Sequence, residues 1–166
     1  YCGAFDRTGL YTMTITDLRC AHDCLDQLAE WHHRQWSYLN PSENLHQRIE
    51  RMQAYLGDQL VPSMFVARDG AVLLGSAGIV THDMDTRTEL SPWLASVYVA
   101  PEHRRHGIGA ALVRHVMTVS AAAGIPTLYL FTPDQERFYQ ALGWTTMAKE
   151  TYRGAAVTVM RCDVHP

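Results

Sequence analysis

The 166-residue chain predicts one mixed α/β domain, a β-sheet of about seven strands with helices on both of its faces. Three observations predict it. Segments of alternating, β-branched-rich residues are interspersed with segments whose apolar residues recur every three to four positions. A strand, a glycine-containing turn and a helix follow one another in mid-chain. Finally, 47 % hydrophobic residues are enough for one sizeable core at this length. No repeat, low-complexity tract or linker interrupts the order, so residues 1–166 read as a single domain, with 1–10 expected to be a disordered or artificially added lead.

Each element has its own signal. Tyr11–Thr16 alternates and reads as a strand. Leu25, Leu28, Ala29, His32, Trp36 and Leu39 keep helical spacing, which predicts a first helix ending near Asn40. Asn40-Pro41-Ser42-Glu43 has the pattern of an N-cap with Pro at the first helical position, so a second helix is expected from there, with Leu45, Ile49, Met52 and Leu56 on one face. Ser63–Arg68, the turn pair Asp69-Gly70 and Ala71–Val80 form a hairpin signal. Trp93–Val99 is a strand running into a glycine turn and a helix with Ile108, Leu112, Val116 and Val119 inward. Thr127–Phe131 reads as a buried strand, and Thr132-Pro133-Asp134-Gln135 as a capping box that starts a short helix stopped by Gly143. Thr145–Tyr152 and Ala155–Asp163 predict a closing hairpin around Arg153-Gly154.

Composition excludes several function classes. The chain has 14 cationic against 17 acidic residues, a formal charge of −3, and Lys149 is its only lysine. A broad basic face for nucleic acid and a polybasic membrane patch are therefore not expected. The longest stretch without formal charge, His115–Pro133, is broken by Gly124-Ile125-Pro126, so no membrane span is expected. Four sparse cysteines read as reduced thiols in a cytoplasmic protein. Cys20-x-x-x-Cys24 lacks both knuckle spacing and a second ligand pair, and no metal is expected.

The informative unit is Val97-Tyr98-Val99-Ala100-Pro101-Glu102-His103-Arg104-Arg105-His106-Gly107-Ile108-Gly109-Ala110. Free amides at a helix start, left accessible by glycines, donate to phosphate oxygens, and the helix dipole and adjacent arginines add attraction. A pyrophosphate is the natural occupant. A dinucleotide fingerprint would put its third glycine at Leu112, with an acid about twenty residues on, and neither condition is met. A Walker A loop needs Gly before Lys, whereas Lys149 follows Ala148. A turn that merely capped a helix would not require two arginines ahead of it.

Arg104-x-x-Gly107-x-Gly109, with the preceding strand, resembles the acetyl-CoA-binding motif of the GCN5-related N-acetyltransferase (GNAT) family, Q/R-x-x-G-x-G/A. Phe138-Tyr139-Gln140-Ala141-Leu142-Gly143-Trp144 is similar to that family's second hallmark, and the element order matches from Tyr11 to Asp163. The resemblance implies a splayed sheet and acetyl-CoA as co-substrate. Val97, Tyr98 and Val99 would pair with the pantetheine arm, and the amides of Arg104, Arg105, His106, Gly107, Ile108, Gly109 and Ala110 would hold the pyrophosphate. It further implies that Tyr139 protonates the departing thiolate, and that a backbone N–H within Val97–Val99 stabilises the oxyanion on a bulged strand. At Thr132 this chain departs from the asparagine the family uses.

The base is sought among Glu89, Asp83 and His82 in or beside the loop before the Trp93 strand, with Glu89 first. Asp83 is also a candidate to attract a cationic amine. Among the aromatics, Trp31 and Trp36 read as core, and Trp93, next to Pro92, as the acceptor-pocket residue. The expected function is direct, acetyl-CoA-dependent N-acetylation of a primary amine on a small molecule or peptide N-terminus. The alternative is a non-catalytic acyl-CoA-binding sensor. The sequence does not fix the oligomeric state, and a homodimer is compatible with it.

Overall fold

The structure is a computed structural model and describes residues 3–6 and 12–166. Successive side chains of a strand point to opposite faces, so a strand buried throughout needs a covering layer on each side. The strand Ser63–Asp69 (β3) is such a case from Ser63 to Ala67. Its Met64 and Val66 pack with Leu18, Leu25, Leu28 and Met52 beneath two helices, Leu25–Trp36 (α1) and Leu45–Met52 (α2). Its Phe65 and Ala67 enter the opposite core with Leu112, Val113 and Val116 of a third helix, Ile108–Ala122 (α3). Each fully buried leucine in these layers contributes roughly 1.5–3 kcal/mol over leaving it in water.

The remaining strands are β1 (Gly3–Asp6), β2 (Thr12–Asp17), β4 (Val72–Val80), β5 (Trp93–Val99), β6 (Thr127–Thr132), β7 (Thr145–Tyr152) and β8 (Ala155–Asp163). They form one sheet in the order β1-β2-β3-β4-β5-β6-β8-β7. The predicted mixed sheet is thus observed, with eight strands. Gly3–Asp6, read from the sequence as part of a lead, pairs antiparallel with β2, Gly3 opposite Ile15. The other lead residues and Tyr11 lie outside the described residues.

All pairings are antiparallel except that of β5 with β6, which are parallel, with one bridge that sets Trp93 beside Tyr129 and has Tyr129 N–H donating to Pro92 O at 3.1 Å. On its other side β5 stays close to β4. At Gly75 a Cβ would lie 2.4 Å from the Tyr98 carbonyl oxygen, so only glycine permits this approach.

Two helix starts differ from expectation. α2 begins at Leu45, not after Asn40, and Asn44 is its N-cap: Asn44 Oδ1 accepts from Gln47 N–H and Gln47 Oε1 from Asn44 N–H, both at 2.8 Å. Both asparagines fit the capping pattern. Asn40 instead ends the 3-10 turn Ser37–Leu39, and Glu43 is taken by arginines of α2. The fourth helix (α4) spans Glu136–Ala141. Thr132 Oγ1 does accept from Gln135 N–H at 3.0 Å, but the Gln135 side chain donates to Asp134 rather than completing a box. No helix among the described residues is long and apolar enough to cross a membrane.

Candidate active site

Where β5 and β6 part beyond their one bridge, a cleft of about 980 Å³ opens, walled by both strands, the turn into α3, α4, and the α1–α2 side. At one end lies the turn predicted to hold phosphate. Gly107 has φ +78° and caps α3 without a side-chain hydrogen bond, a conformation glycine adopts freely. The first helical bond runs from Ala111 N–H to Gly107 O, so the Ile108, Gly109 and Ala110 amides have no partner within the helix. A Cβ on Gly109 would reach Phe138 and Val99 only at 3.5 Å, so packing does not demand a glycine there. The open amides of this turn line the cleft.

The neighbouring arginines divide the work. Arg104 Nε donates to Val99 O at 2.8 Å and its guanidinium lies 5.6 Å from the Tyr98 ring centroid, which braces the strand-to-turn corner. Arg105, at φ +66°, is exposed and lines the cleft.

In mid-cleft, β5 bulges. Its register against β4 slips between Ser76 and Gly78, and Ser96 takes φ +55°. The Ser96 carbonyl accepts from Ser76 Oγ at 2.8 Å, and Ser76 Oγ lies 2.8 Å from His32 Nε2. Since the serine proton goes to Ser96, His32 must donate through Nε2. His32 is 1 % exposed, and burial drives its pKa down to about 3, so the ring is neutral. Tyr98 packs beside it, with Trp31 and Trp36 centroids at 5.5 and 6.1 Å.

Tyr139 faces the cleft from α4, against Phe138 and Trp144. Burial, with Asp134 adding to it, raises its pKa well above that of an ordinary tyrosine, so it keeps its proton.

The far end is polar. Arg48, Arg51 and Tyr55 come from α2 and the 3-10 turn after it, Asp83 from the loop after β4, and Arg153 from the β7–β8 turn. Burial pushes the Asp83 carboxyl up to about 6, against the pull of Arg51 and Arg153. Arg153 ties this end together, donating to Leu39 O at 3.0 Å, Asn40 Oδ1 at 2.6 Å and Asp85 Oδ2 at 2.9 Å.

Of the residues singled out in the sequence, 97–99, 104, 105 and 107–110 with His82, Asp83 and Tyr139 therefore meet in one cleft. Three do not line it. Glu89 is exposed and paired with Arg87 at 3.3 Å, an arginine held in turn by Glu150. Trp93 is fully buried, its Nε1 donating to Leu90 O at 2.7 Å, in a core cluster with Met84 and Tyr152. The His106 ring turns back to the His103 carbonyl at 3.2 Å. Conversely Trp36, read as core, lines the cleft. Sequence reasoning missed Arg48, Arg51, Tyr55, Ser76 and Arg153. Arg48 had a signal: it sits three residues after Leu45 and four before Met52, on an otherwise apolar face.

The sequence model of the acetyltransferase (GNAT) family matches residues 25–144. No curated protein matches the chain. Several solved structures do. Aminoglycoside 6'-acetyltransferase type Ii is similar at TM-score 0.70 and 21 % identity, over 92 % of this chain and 97 % of that one. The yncA protein of Salmonella typhimurium, solved with its cofactor acetyl-CoA, is similar at TM-score 0.67 and 18 % identity, over 91 % and 93 %. The paia N-acetyltransferase of Thermoplasma acidophilum, in complex with coenzyme A, gives 0.62 and 17 %, over 92 % and 99 %. At such identities the likeness is one of fold.

Proposed function

The chain belongs to the acetyltransferase (GNAT) family, and from that premise we propose that it moves an acetyl group from acetyl-CoA directly to a primary amine of a small molecule. The observation that carries this reading is the continuous cleft between β5 and β6, with open helix amides at one end, a protonated tyrosine in the middle and a carboxylate at the other.

The residues fit the co-substrate. The Ile108, Gly109 and Ala110 amides, with Arg105, would hold its pyrophosphate, and the unpaired stretch of β5 would take its pantetheine arm. Acetyl-CoA supplies an acyl group activated as a thioester. Every other requirement falls on this chain. The Ser96 carbonyl is turned to Ser76, and a trans peptide directs the following N–H the opposite way, so the Val97 amide is aimed from β4 toward the cleft. An amide held there in advance stabilises negative charge as it develops on the carbonyl oxygen. Tyr139 keeps a proton to give to a thiolate, and Asp83, ionised at neutral pH, accepts one from the incoming ammonium, directly or through water.

Calorimetric titration with acetyl-CoA tests the premise. Wild type is expected to bind and the Gly107→Trp/Gly109→Trp double variant to fail, because the added side chains fill the amide turn. Tyr139→Phe should bind acetyl-CoA as wild type does while losing about a hundredfold in thiol release with acceptor present. Binding without any turnover in wild type, across a panel of amines, would identify a sensor instead.

A further inference from the structure

Building on the acetyl-transfer reading, we infer that the far end of the cleft selects an acceptor bearing a carboxylate close to its amine, the α-amino acid pattern, with Arg48 and Arg51 as the anion subsite. Arg48 is 4 % exposed although it lines the cleft. Its Nη2 lies 3.0 Å from Glu43 Oε2 as an ion pair outside hydrogen-bonding geometry, and neither Nη2 nor Nε has a hydrogen-bond partner among the described residues. Arg51, one turn further on, donates to the same Glu43 through Nε at 2.7 Å and Nη2 at 3.1 Å. One carboxylate thus serves two guanidinium groups, and the Arg48 guanidinium keeps donors without a hydrogen-bond partner in a place that water barely reaches. Burial and the Arg51 charge both act against the Arg48 cation. Such a group calls for an anion. The planar guanidinium fork suits the two oxygens of a carboxylate.

The amine site lies within reach of the same small ligand. Arg48, Arg51, Tyr55 and Asp83 line the cleft together with Ser96 of the β5 bulge, and Tyr55 is near enough to Ser96 and to the three charged groups for each to act on its hydroxyl. A ligand with its carboxylate at Arg48 and its ammonium at Asp83 therefore presents its nitrogen beside the bulge. The charges also select against polyamines. Arg48, Arg51 and Arg153 line this end, and Glu43 and Asp85 are already engaged by them, so that among the described residues Asp83 is the carboxylate left here to meet a cation, Asp134 lining the cleft next to Tyr139 instead.

The test reads binding separately from turnover. CoA-loaded protein, and in parallel the free protein, is titrated calorimetrically with the proteinogenic L-amino acids, with the α-amide of each binder, and with spermidine. At least one free acid is expected to bind tenfold or more tightly than its amide. Arg48→Met and Arg51→Met should each weaken that acid at least tenfold and bring the acid-to-amide ratio toward one. Arg51 is half exposed, so its variant keeps the test decisive if Arg48→Met does not fold, with CoA binding as the check on folding. Equal binding of acid and amide, binding of spermidine alone, or no binding of any acid overturns the inference. Acid binding without acetyl transfer would instead overturn the enzymatic reading and leave the anion subsite standing. Acetyl transfer to amides or spermidine in preference to acids would do the reverse.

Discussion

Asp83 stands among Arg51, Arg153, Tyr55 and Tyr152, and its properties follow from that company. Burial disfavours the charged carboxylate and outweighs the two arginines, leaving a pKa of about 6. A base must be ionised to work, so kcat/KM is expected to rise with pH through about 6 in wild type. In Asp83→Asn this limb should vanish, leaving only the one set by the acceptor amine, with kcat/KM at pH 7 down about a hundredfold. A pH–rate profile of both proteins checks it, and an unchanged limb in the variant would move the base elsewhere. Glu89, a loop carboxylate in the same stretch of sequence, has the same chemistry. It differs only in what surrounds it: Arg87 and solvent, rather than a cleft wall. Nothing local in the sequence distinguishes the two, because a carboxylate's role depends on its dielectric surroundings and distant partners.

At the scale of elements, the β5 bulge joins three segments far apart in the chain. α1 supplies His32, β4 supplies Ser76, and together they hold one peptide of β5 in a strained, left-handed conformation at Ser96. If this relay orients the Val97 amide, Ser76→Ala should lower kcat about ten- to a hundredfold, with KM for acetyl-CoA nearly unchanged. Ser76→Thr, which keeps the hydroxyl, should recover most of the loss. A purely structural serine would instead change stability without this split, so urea midpoints measured alongside decide the matter. The strand itself is evident as a run of β-prone residues ahead of a glycine turn, whereas a bulge is expected only through family resemblance. The serine is not evident, because Gly75-Ser76-Ala77-Gly78 reads in isolation as a small-residue stretch of a buried strand.

Across the whole molecule, two cores sandwich β3 and β4, and His32 lies at the site end of one of them. The pKa of His32 in the folded state, about 3, is below its unfolded value of 6.5. Below pH 6.5 the unfolded chain binds a proton that the folded chain refuses. His32 is therefore cost-free to stability above about pH 6.5, and stability is lost as pH falls toward 3. Between pH 7 and 5 this amounts to about 2 kcal/mol. Asp83, whose raised pKa contributes in the opposite direction, titrates in both proteins, so urea unfolding should show a loss of stability from pH 7 to pH 5 that is about 2 kcal/mol larger in wild type than in His32→Gln.

Local chemistry makes much of this protein readable from its sequence by itself. Strand-prone runs, turn pairs, capping patterns and helical spacing locate every strand from residue 12 onward and all four helices, and glycines at 107 and 109 after an arginine locate the turn whose amides stay open at the start of α3, since these signals depend on neighbours within a few residues. Tertiary structure alone decides which equivalent-looking residues matter. It puts Trp93 in the core and Trp36 on the cleft, chooses Asn44 over Asn40 as a cap, separates Asp83 from Glu89, and brings Arg48, Arg51 and Arg153 to one wall. Burial, pKa and charge compensation are set by groups tens of residues away, which no local pattern encodes.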